Sequence, residues 1–326
     1  MLRSADNTTN NNSYIRKHII PQMLNSDKLL KVGKFAHFYF FINEKVLTIY
    51  HACDTMEAQQ QLNKIQQEGI MKGIAFYNIK GGCGKTTSAI NVSYILAKKG
   101  KRVLLVDLDP QANSSDFYEL DDCEYPLTIA DVLIGDCKVD KAIYHSKYNG
   151  LDFIPSTILL GRTEKMMTAN TTVPQQFKLK SALKEIETQY DYVIFDCSPV
   201  SESLININGL AASDQVFIPL KSDKWTIDGL NYTVETIKTV TTFNFQLHFG
   251  GAFFVQNERR VINAQATEIV HEMLGDKLLD ISISKNKNAE ECSYLRIPIV
   301  EYQKGESTIA KDYIKLTEKI VEITNR

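Results

Sequence analysis

The sequence predicts an α/β fold, a doubly wound and mostly parallel sheet with helices on both faces. Short apolar runs typical of strands alternate with segments of helical spacing from residue 71 to residue 326. Some runs, such as residues 103–106, are continuously apolar, as expected of strands covered on both faces. A glycine-rich turn joins the first of these strands to the first helix, and open α/β sheets bind ligands at that edge.

Composition describes an ordinary globular protein. The 326 residues are 44% hydrophobic and 23% charged, with a formal net charge of −2. That charge gives no global attraction to nucleic acid, so any DNA contact must come from a local basic patch. No apolar run reaches the length of a membrane span and no signal peptide is recognisable, so we expect a cytoplasmic protein.

Residues 1–70 form a separate N-terminal extension in this interpretation. A polar tract at 7–13 predicts disorder. Apolar runs at 35–42 and 46–51 and a polar helical segment at 55–67 then predict a small ββα appendage. The alternative is that the extension is a translated upstream leader, with the ordinary start at Met71.

The stretch at 80–87 carries the chemistry of phosphate binding. It follows a predicted strand at 73–78 and leads into a predicted helix at 88–97. Glycines let backbone N–H groups point inward, and the helix start adds unpaired N–H donors and the positive end of its dipole. Lys85 is placed to reach the β- and γ-phosphates, and Thr86 to put its hydroxyl on Mg²⁺. The predicted nucleotide-binding residues are Lys80, Gly81, Gly82, Cys83, Gly84, Lys85, Thr86 and Thr87.

The strict phosphate-loop pattern expects glycine where this chain has Ile79, and a second lysine, Lys80, follows instead. This form resembles the deviant Walker A box of the ParA/MinD family of dimerising P-loop ATPases, and the resemblance covers residues 71–326. It implies a P-loop NTPase domain that binds ATP and Mg²⁺. It also implies that Lys80 crosses a dimer interface to the nucleotide of the partner subunit, and that Lys80 and Lys85 serve catalysis.

Two further boxes follow predicted strands. Residues 107–113 resemble the family's Asp-x-Asp-Pro-Gln-Gly-Asn switch segment, which implies that Asp109 orients the attacking water and Asp107 supports the metal. Ala112 replaces the family's glycine, so we expect a backbone conformation open to a residue with a β-carbon. Residues 190–199 match a Walker B strand whose Asp196 holds Mg²⁺, with Ser198 where the family has proline.

The six cysteines lack a Cys-x-x-Cys pair and are interpreted as free thiols. We expect Cys83 to be more reactive than Cys197, because a helix N-terminus lowers a thiol pKa. Cys197 is expected to be a packing residue. The remaining predicted elements are helices at 127–134 (capped by Thr128), 171–188, 262–274 and 308–324, and strands at 151–156, 215–220 and 246–255.

The branch of the family decides the biology. The C-terminal helix has balanced charge and reads as a packing helix, not a membrane anchor. The DNA-partition branch fits best, which implies an ATP-dependent homodimer, non-specific DNA binding on the nucleoid and a ParB-type centromere-binding partner. The candidate DNA-binding residues are Arg259, Arg260, Lys285 and Lys287. A positioning ATPase for a protein cargo and a nucleotide-gated repressor remain alternatives, and an amidoligase is disfavoured by Lys80 together with the switch box.

Overall fold

The structure is a computed structural model that describes residues 40–42, 45–47, 71–118, 125–222, 224–257 and 261–326. In the N-terminal extension, β1 (Phe40–Ile42) and β2 (Lys45–Leu47) pair antiparallel, over shorter bounds than the two predicted runs. The polar tract at 7–13 and the predicted helix at 55–67 lie outside the described residues.

An eight-stranded sheet organises residues 71–326. The strands are β3 (Lys72–Phe76), β4 (Val103–Leu108), β5 (Tyr144–His145), β6 (Leu151–Ile154), β7 (Tyr192–Cys197), β8 (Gln215–Lys221), β9 (His248–Asn257) and β10 (Leu278–Ser284). Their order in the sheet is β10-β9-β8-β3-β7-β4-β6-β5. Every pairing is parallel except the β5–β6 pairing at one edge. This confirms the predicted fold class.

Helices connect the parallel strands and cover both faces. They are α1 (Lys85–Lys98), α2 (Asn113–Tyr118), α3 (Ile129–Ile134), α4 (Leu160–Ala169), α5 (Lys178–Leu183), α6 (Leu204–Ala211), α7 (Lys224–Thr241), α8 (Val261–Leu274), α9 (Asn288–Tyr294) and α10 (Thr308–Thr324). In the described part of the chain, no helix is both long and apolar enough to cross a membrane.

The core has two layers because strand side chains alternate between the two faces of the sheet. Ala75 and Leu104 belong to one buried cluster, whereas Ile74, Phe76 and Leu105 belong to the other. Each central strand is therefore apolar at consecutive positions, which explains the continuous runs in the sequence.

Most predicted elements occur near their predicted positions. The last helix has the predicted bounds, and α3 begins after Thr128, whose hydroxyl accepts a hydrogen bond from the Ala130 N–H. The helix predicted at 171–188 was wrong as one element. The Asn208 side chain accepts from the Leu179 N–H and donates to the Gln175 carbonyl, so tertiary hydrogen bonds replace helical ones where α5 begins.

Candidate nucleotide site

The phosphate loop joins β3 to α1, and its backbone requires glycine. Gly82 and Gly84 have φ angles of 67° and 81°, in the left-handed region that residues with a β-carbon rarely adopt. Gly84 is the residue before α1, with no side-chain cap on the helix and no acidic residue in its first turn. The N–H groups of that turn therefore lack a side-chain partner from the cap, an arrangement that suits an anion.

A buried asparagine holds the base of this loop. The Asn78 side chain donates a hydrogen bond of 2.8 Å to the Pro219 carbonyl on β8 and accepts one of 2.9 Å from the Lys80 N–H. Asn78 is 3% exposed, so these bonds form away from water. The loop is thus fixed to the sheet at the point where Lys80 begins it.

Lys85 is buried, and its ammonium donates a 3.0 Å hydrogen bond to the Lys80 carbonyl. The Cys83 thiol donates to the same carbonyl at 3.2 Å. The loop therefore curls around the carbonyl of Lys80, its first residue, and the other lysine of the motif, Lys85, bonds to that carbonyl. Thr86 follows Lys85 in the first turn of α1.

The lowered thiol pKa that we expected for Cys83 was wrong. The side chain is 1% exposed, and burial raises the pKa of its thiol although Lys85 and Lys221 act to lower it. Desolvation disfavours the thiolate more strongly than the helix end and the two ammonium groups favour it. Among the described cysteines, Cys83, Cys137, Cys197 and Cys292 are free, as predicted, and burial raises the pKa of Cys197 too.

Asp196 is a buried carboxylate at the end of β7. It is 0% exposed, and neither of its oxygens has a hydrogen-bond partner among the described residues. Burial raises its pKa, and the neighbouring Asp107 raises it further. The hydroxyls of Thr86 and Ser114 lie near enough to lower this pKa without hydrogen bonds of normal geometry, and the Lys85 ammonium also acts to lower it. An unpaired buried carboxylate is costly, so this position is suited to receiving a cation.

Asp107 lies directly across from Asp196 in the β4–β7 register, but its oxygens are engaged. One accepts from the Asp109 N–H at 3.0 Å, and the other accepts from the Ser115 N–H at 2.9 Å and the Ser115 hydroxyl at 2.7 Å. The Ser115 hydroxyl in turn accepts from the Ser156 N–H at 2.8 Å. Asp107 therefore joins β4, to which it belongs, to the first turn of α2 and, through Ser115, to the residues just after β6.

Asp109 is the second aspartate of the switch segment. Its side chain is 8% exposed and accepts a 2.9 Å hydrogen bond from the Gln111 N–H. The conformation expected at Ala112 was wrong. Its φ is 55°, in the left-handed region. The Ala112 N–H donates to the Asp109 carbonyl and its carbonyl accepts from the Asp116 N–H, and these bonds hold the turn despite the steric cost of the β-carbon.

The donors of this site fit Mg²⁺ that arrives with phosphate. Within the described residues, no group of three or more histidine, cysteine or acidic side chains could hold a metal by itself. Mg²⁺ prefers oxygen ligands and commonly takes one or two carboxylates together with substrate phosphates. Thr86 and the unpaired Asp196 supply such oxygens, and Asp107 keeps spare acceptor capacity beside them.

A cavity of about 400 Å³ opens beside the loop. Gly84 and Thr87 line one side, and Lys285 and Lys287 line another, after the end of β10. The structure thus brings two of the predicted DNA-binding residues to the edge of the nucleotide site. Arg259 and Arg260 lie outside the described residues.

Sequence reasoning missed Lys221, which ends β8 next to the phosphate loop. Its ammonium nitrogen lies 3.8 Å from the position that a β-carbon would take on Gly82. The motif patterns contain no signal for it, because only the parallel pairing of β3 with β8 brings residue 221 level with the loop.

Comparisons with known proteins find similar sequences over most of the chain. A family model described as an AAA domain matches residues 71–249. The chromosome-partitioning ATPase Soj of Treponema pallidum is 36% identical over 255 residues, which cover 77% of this chain and 97% of the relative.

Two solved structures share the fold. Cobyrinic acid a,c-diamide synthase from Mycobacterium smegmatis, with bound ATP analogue and magnesium, is 26% identical with a TM-score of 0.67, covering 78% of this chain and 95% of that one. The cell division ATPase MinD of Pyrococcus furiosus is 25% identical with a TM-score of 0.63, covering 77% and 99%. The chain belongs to the ParA/MinD family of P-loop ATPases, in the branch of the ParA-type partition ATPases.

Proposed function

We propose that this protein is an Mg²⁺-dependent ATPase that dimerises around two ATP molecules, binds DNA without sequence preference in that state, and drives plasmid or chromosome partition. Its partner is a centromere-binding protein of the ParB type, which stimulates hydrolysis and releases the dimer from nucleoid DNA. The observation that carries the ATPase proposal is the buried, unpaired carboxylate of Asp196 beside a phosphate loop with an uncapped helix end.

The residues of the loop divide the work of binding. The N–H groups of the first turn of α1 and the Lys85 ammonium hold the phosphates, and Thr86 and Asp196 hold Mg²⁺. Bound Mg²⁺ neutralises phosphate charge and orients the terminal phosphate. Asp109 positions the attacking water, and the Asp107–Ser115 hydrogen bonds keep the switch segment in place for it.

Lys80 supplies the coupling between hydrolysis and dimerisation in this proposal. Its backbone is fixed by Asn78 and Lys85, so the side chain starts from a defined point on the loop. From there it reaches the nucleotide of the partner subunit, so the dimer forms only around bound ATP.

DNA binding follows from the same site. Lys285 and Lys287 line the same cavity as Gly84 and Thr87, so the segment that carries them lies beside the loop that binds nucleotide. With Arg259 and Arg260 they contact DNA phosphates, which makes binding dependent on both ATP and salt.

The similarity to cobyrinic acid a,c-diamide synthase keeps an ATP-dependent ligase as the competing class. An enzyme of that class has no need for DNA. The discriminating experiment is DNA binding by the purified protein with ATP, with ADP and without nucleotide, across a salt series.

We expect salt-sensitive binding to DNA of any sequence with ATP alone. Asp109→Ala should keep this binding because it traps the ATP state, and Lys80→Ala should lose it because the dimer does not form. DNA binding that is equal with and without ATP, or a Lys80→Ala variant that binds like wild type, would refute the partition cycle.

A further inference from the structure

We infer that Lys221 is a further phosphate-binding residue of this site, a third lysine that contacts the nucleotide bound in the loop. The inference rests on the proposed ATP-binding function. It assigns a role to a residue outside the Walker A, switch and Walker B boxes.

The position of Lys221 follows from the sheet. The last paired residues of β3 and β8 are Phe76 and Phe217, and the Tyr77 N–H still donates to the Phe217 carbonyl at 3.1 Å. Beyond this point β3 turns into the loop while β8 continues straight. The Asn78 side chain bonds the Pro219 carbonyl, and Lys221 lies two residues further along the strand. The strand therefore carries Lys221 past the base of the loop to the level of its apex.

Two observations show that the side chain bends toward the loop. The Lys221 ammonium nitrogen lies 3.8 Å from the β-carbon position of Gly82. Its charge also acts on Cys83, where it and Lys85 both favour the thiolate. Since Cys83 lies between Gly82 and Gly84, two ammonium groups act on the same turn of the loop.

This concentration of charge suits a polyphosphate. Lys221, Lys85 and the uncapped N-terminus of α1 place positive charge around one turn of backbone, and opposite charge on a bound polyphosphate is attracted to all three. A lysine binds phosphate as a point charge on a flexible stem, so a small rotation is enough for it to contact a phosphate oxygen. Lys221 is half-buried, so dissolved salt screens its attraction to a phosphate less than it would on an open surface.

The test is a titration of a fluorescent ATP analogue, with Mg²⁺, into wild type, Lys221→Gln, Lys221→Arg, Lys85→Ala and Lys238→Gln. Lys238 on α7 is the matched control. Its side chain is 67% exposed, and in the described part of the chain its ammonium forms an ion pair with Glu235, another surface residue. Its substitution removes the same charge from the chain. A thermal melt of each variant shows that it is folded.

Lys221→Gln should bind the analogue about tenfold more weakly or worse, as expected for one lost charge-assisted contact. Lys221→Arg should stay within about threefold of wild type because it keeps the charge, and Lys238→Gln should match wild type. A repeat of the titration across a salt series should give a shallower salt dependence for Lys221→Gln alone, which a purely structural role would not produce.

Equal affinities for Lys221→Gln and Lys238→Gln at every salt concentration, in proteins whose binding is lost on Lys85→Ala, would overturn the role of Lys221 and leave the nucleotide site intact. Failure of the wild-type protein to bind the analogue would overturn the proposed function and this inference with it.

Discussion

Ser115→Ala should destabilise the protein strongly for so small a change. The Ser115 hydroxyl is buried, donates to the Asp107 carboxylate at 2.7 Å and accepts from the Ser156 N–H at 2.8 Å. A hydrogen bond to an ionised group contributes about 1.5–3 kcal/mol, and an unpaired buried N–H costs about 1–3 kcal/mol. Because the two terms share one hydroxyl, we expect a combined loss of about 3 kcal/mol in the free energy of unfolding.

Urea unfolding of the apo protein measures this loss directly. For a domain of this size, about 3 kcal/mol also lowers the melting temperature by roughly 6–12 °C. Ser93→Ala is the matched control, since Ser93 is 0% exposed on α1 and its hydroxyl has no hydrogen-bond partner within the described residues. Alanine there should be neutral or stabilising by up to about 0.5 kcal/mol. Equal unfolding free energies for the two variants would refute the argument that Ser115 joins β4, α2 and β6.

Three further outcomes follow from single contacts. Asp196→Asn should remove the gain in ATP affinity that Mg²⁺ gives, and a Mg²⁺ effect that survives would contradict the assignment of Asp196 to the metal. The apo form of this variant should unfold at an equal or higher urea concentration, because a neutral amide replaces an unpaired buried carboxylate. Ala112→Gly should relieve a left-handed φ of 55° and change stability by less than about 1 kcal/mol, since glycine also gains freedom in the unfolded chain, and hydrogen exchange in the switch segment should become faster. Gly73→Ala should lower the free energy of unfolding by at least about 2 kcal/mol, because its β-carbon would lie 2.6 Å from the Ala212 carbonyl oxygen. Gly161→Ala, whose β-carbon would have no atom within 4 Å, should stabilise α4 by up to about 1 kcal/mol. Thermal melts measure both variants, and equal shifts in melting temperature would count against the packing argument.

The sequence predicted the sheet because buried parallel strands leave continuous apolar runs. The residues of the phosphate loop, the switch segment and Asp196 could be proposed as site residues for the same reason, since each follows such a run. What depends on long-range contacts was not predictable. Lys221 reaches the loop only through the pairing of β3 with β8, and the helix predicted at 171–188 is interrupted where Asn208, from a later helix, bonds its backbone.

The environment of particular side chains also escaped the sequence. Cys83 lies near a helix N-terminus, which favours a thiolate, yet packing buries it and raises the pKa of its thiol. Ala112 favours ordinary backbone angles by residue type, but the two hydrogen bonds of its turn hold it at a positive φ. In both cases the fold imposes a cost on a residue that local preference alone would have avoided.

The strand order has a consequence for synthesis on the ribosome. β3 pairs on one side with β7 and on the other with β8, and the loop is fixed by a bond from Asn78 to Pro219, 141 residues later in the chain. At about 5–20 residues per second, roughly 7–28 s separate the synthesis of Asn78 from that of Pro219. For most of that interval β3 lacks both of its partner strands, because β7 and β8 are made more than 100 residues after it. The phosphate loop lacks its bond to Pro219 until β8 is made, so we expect a nucleotide to stabilise the chain only after that point.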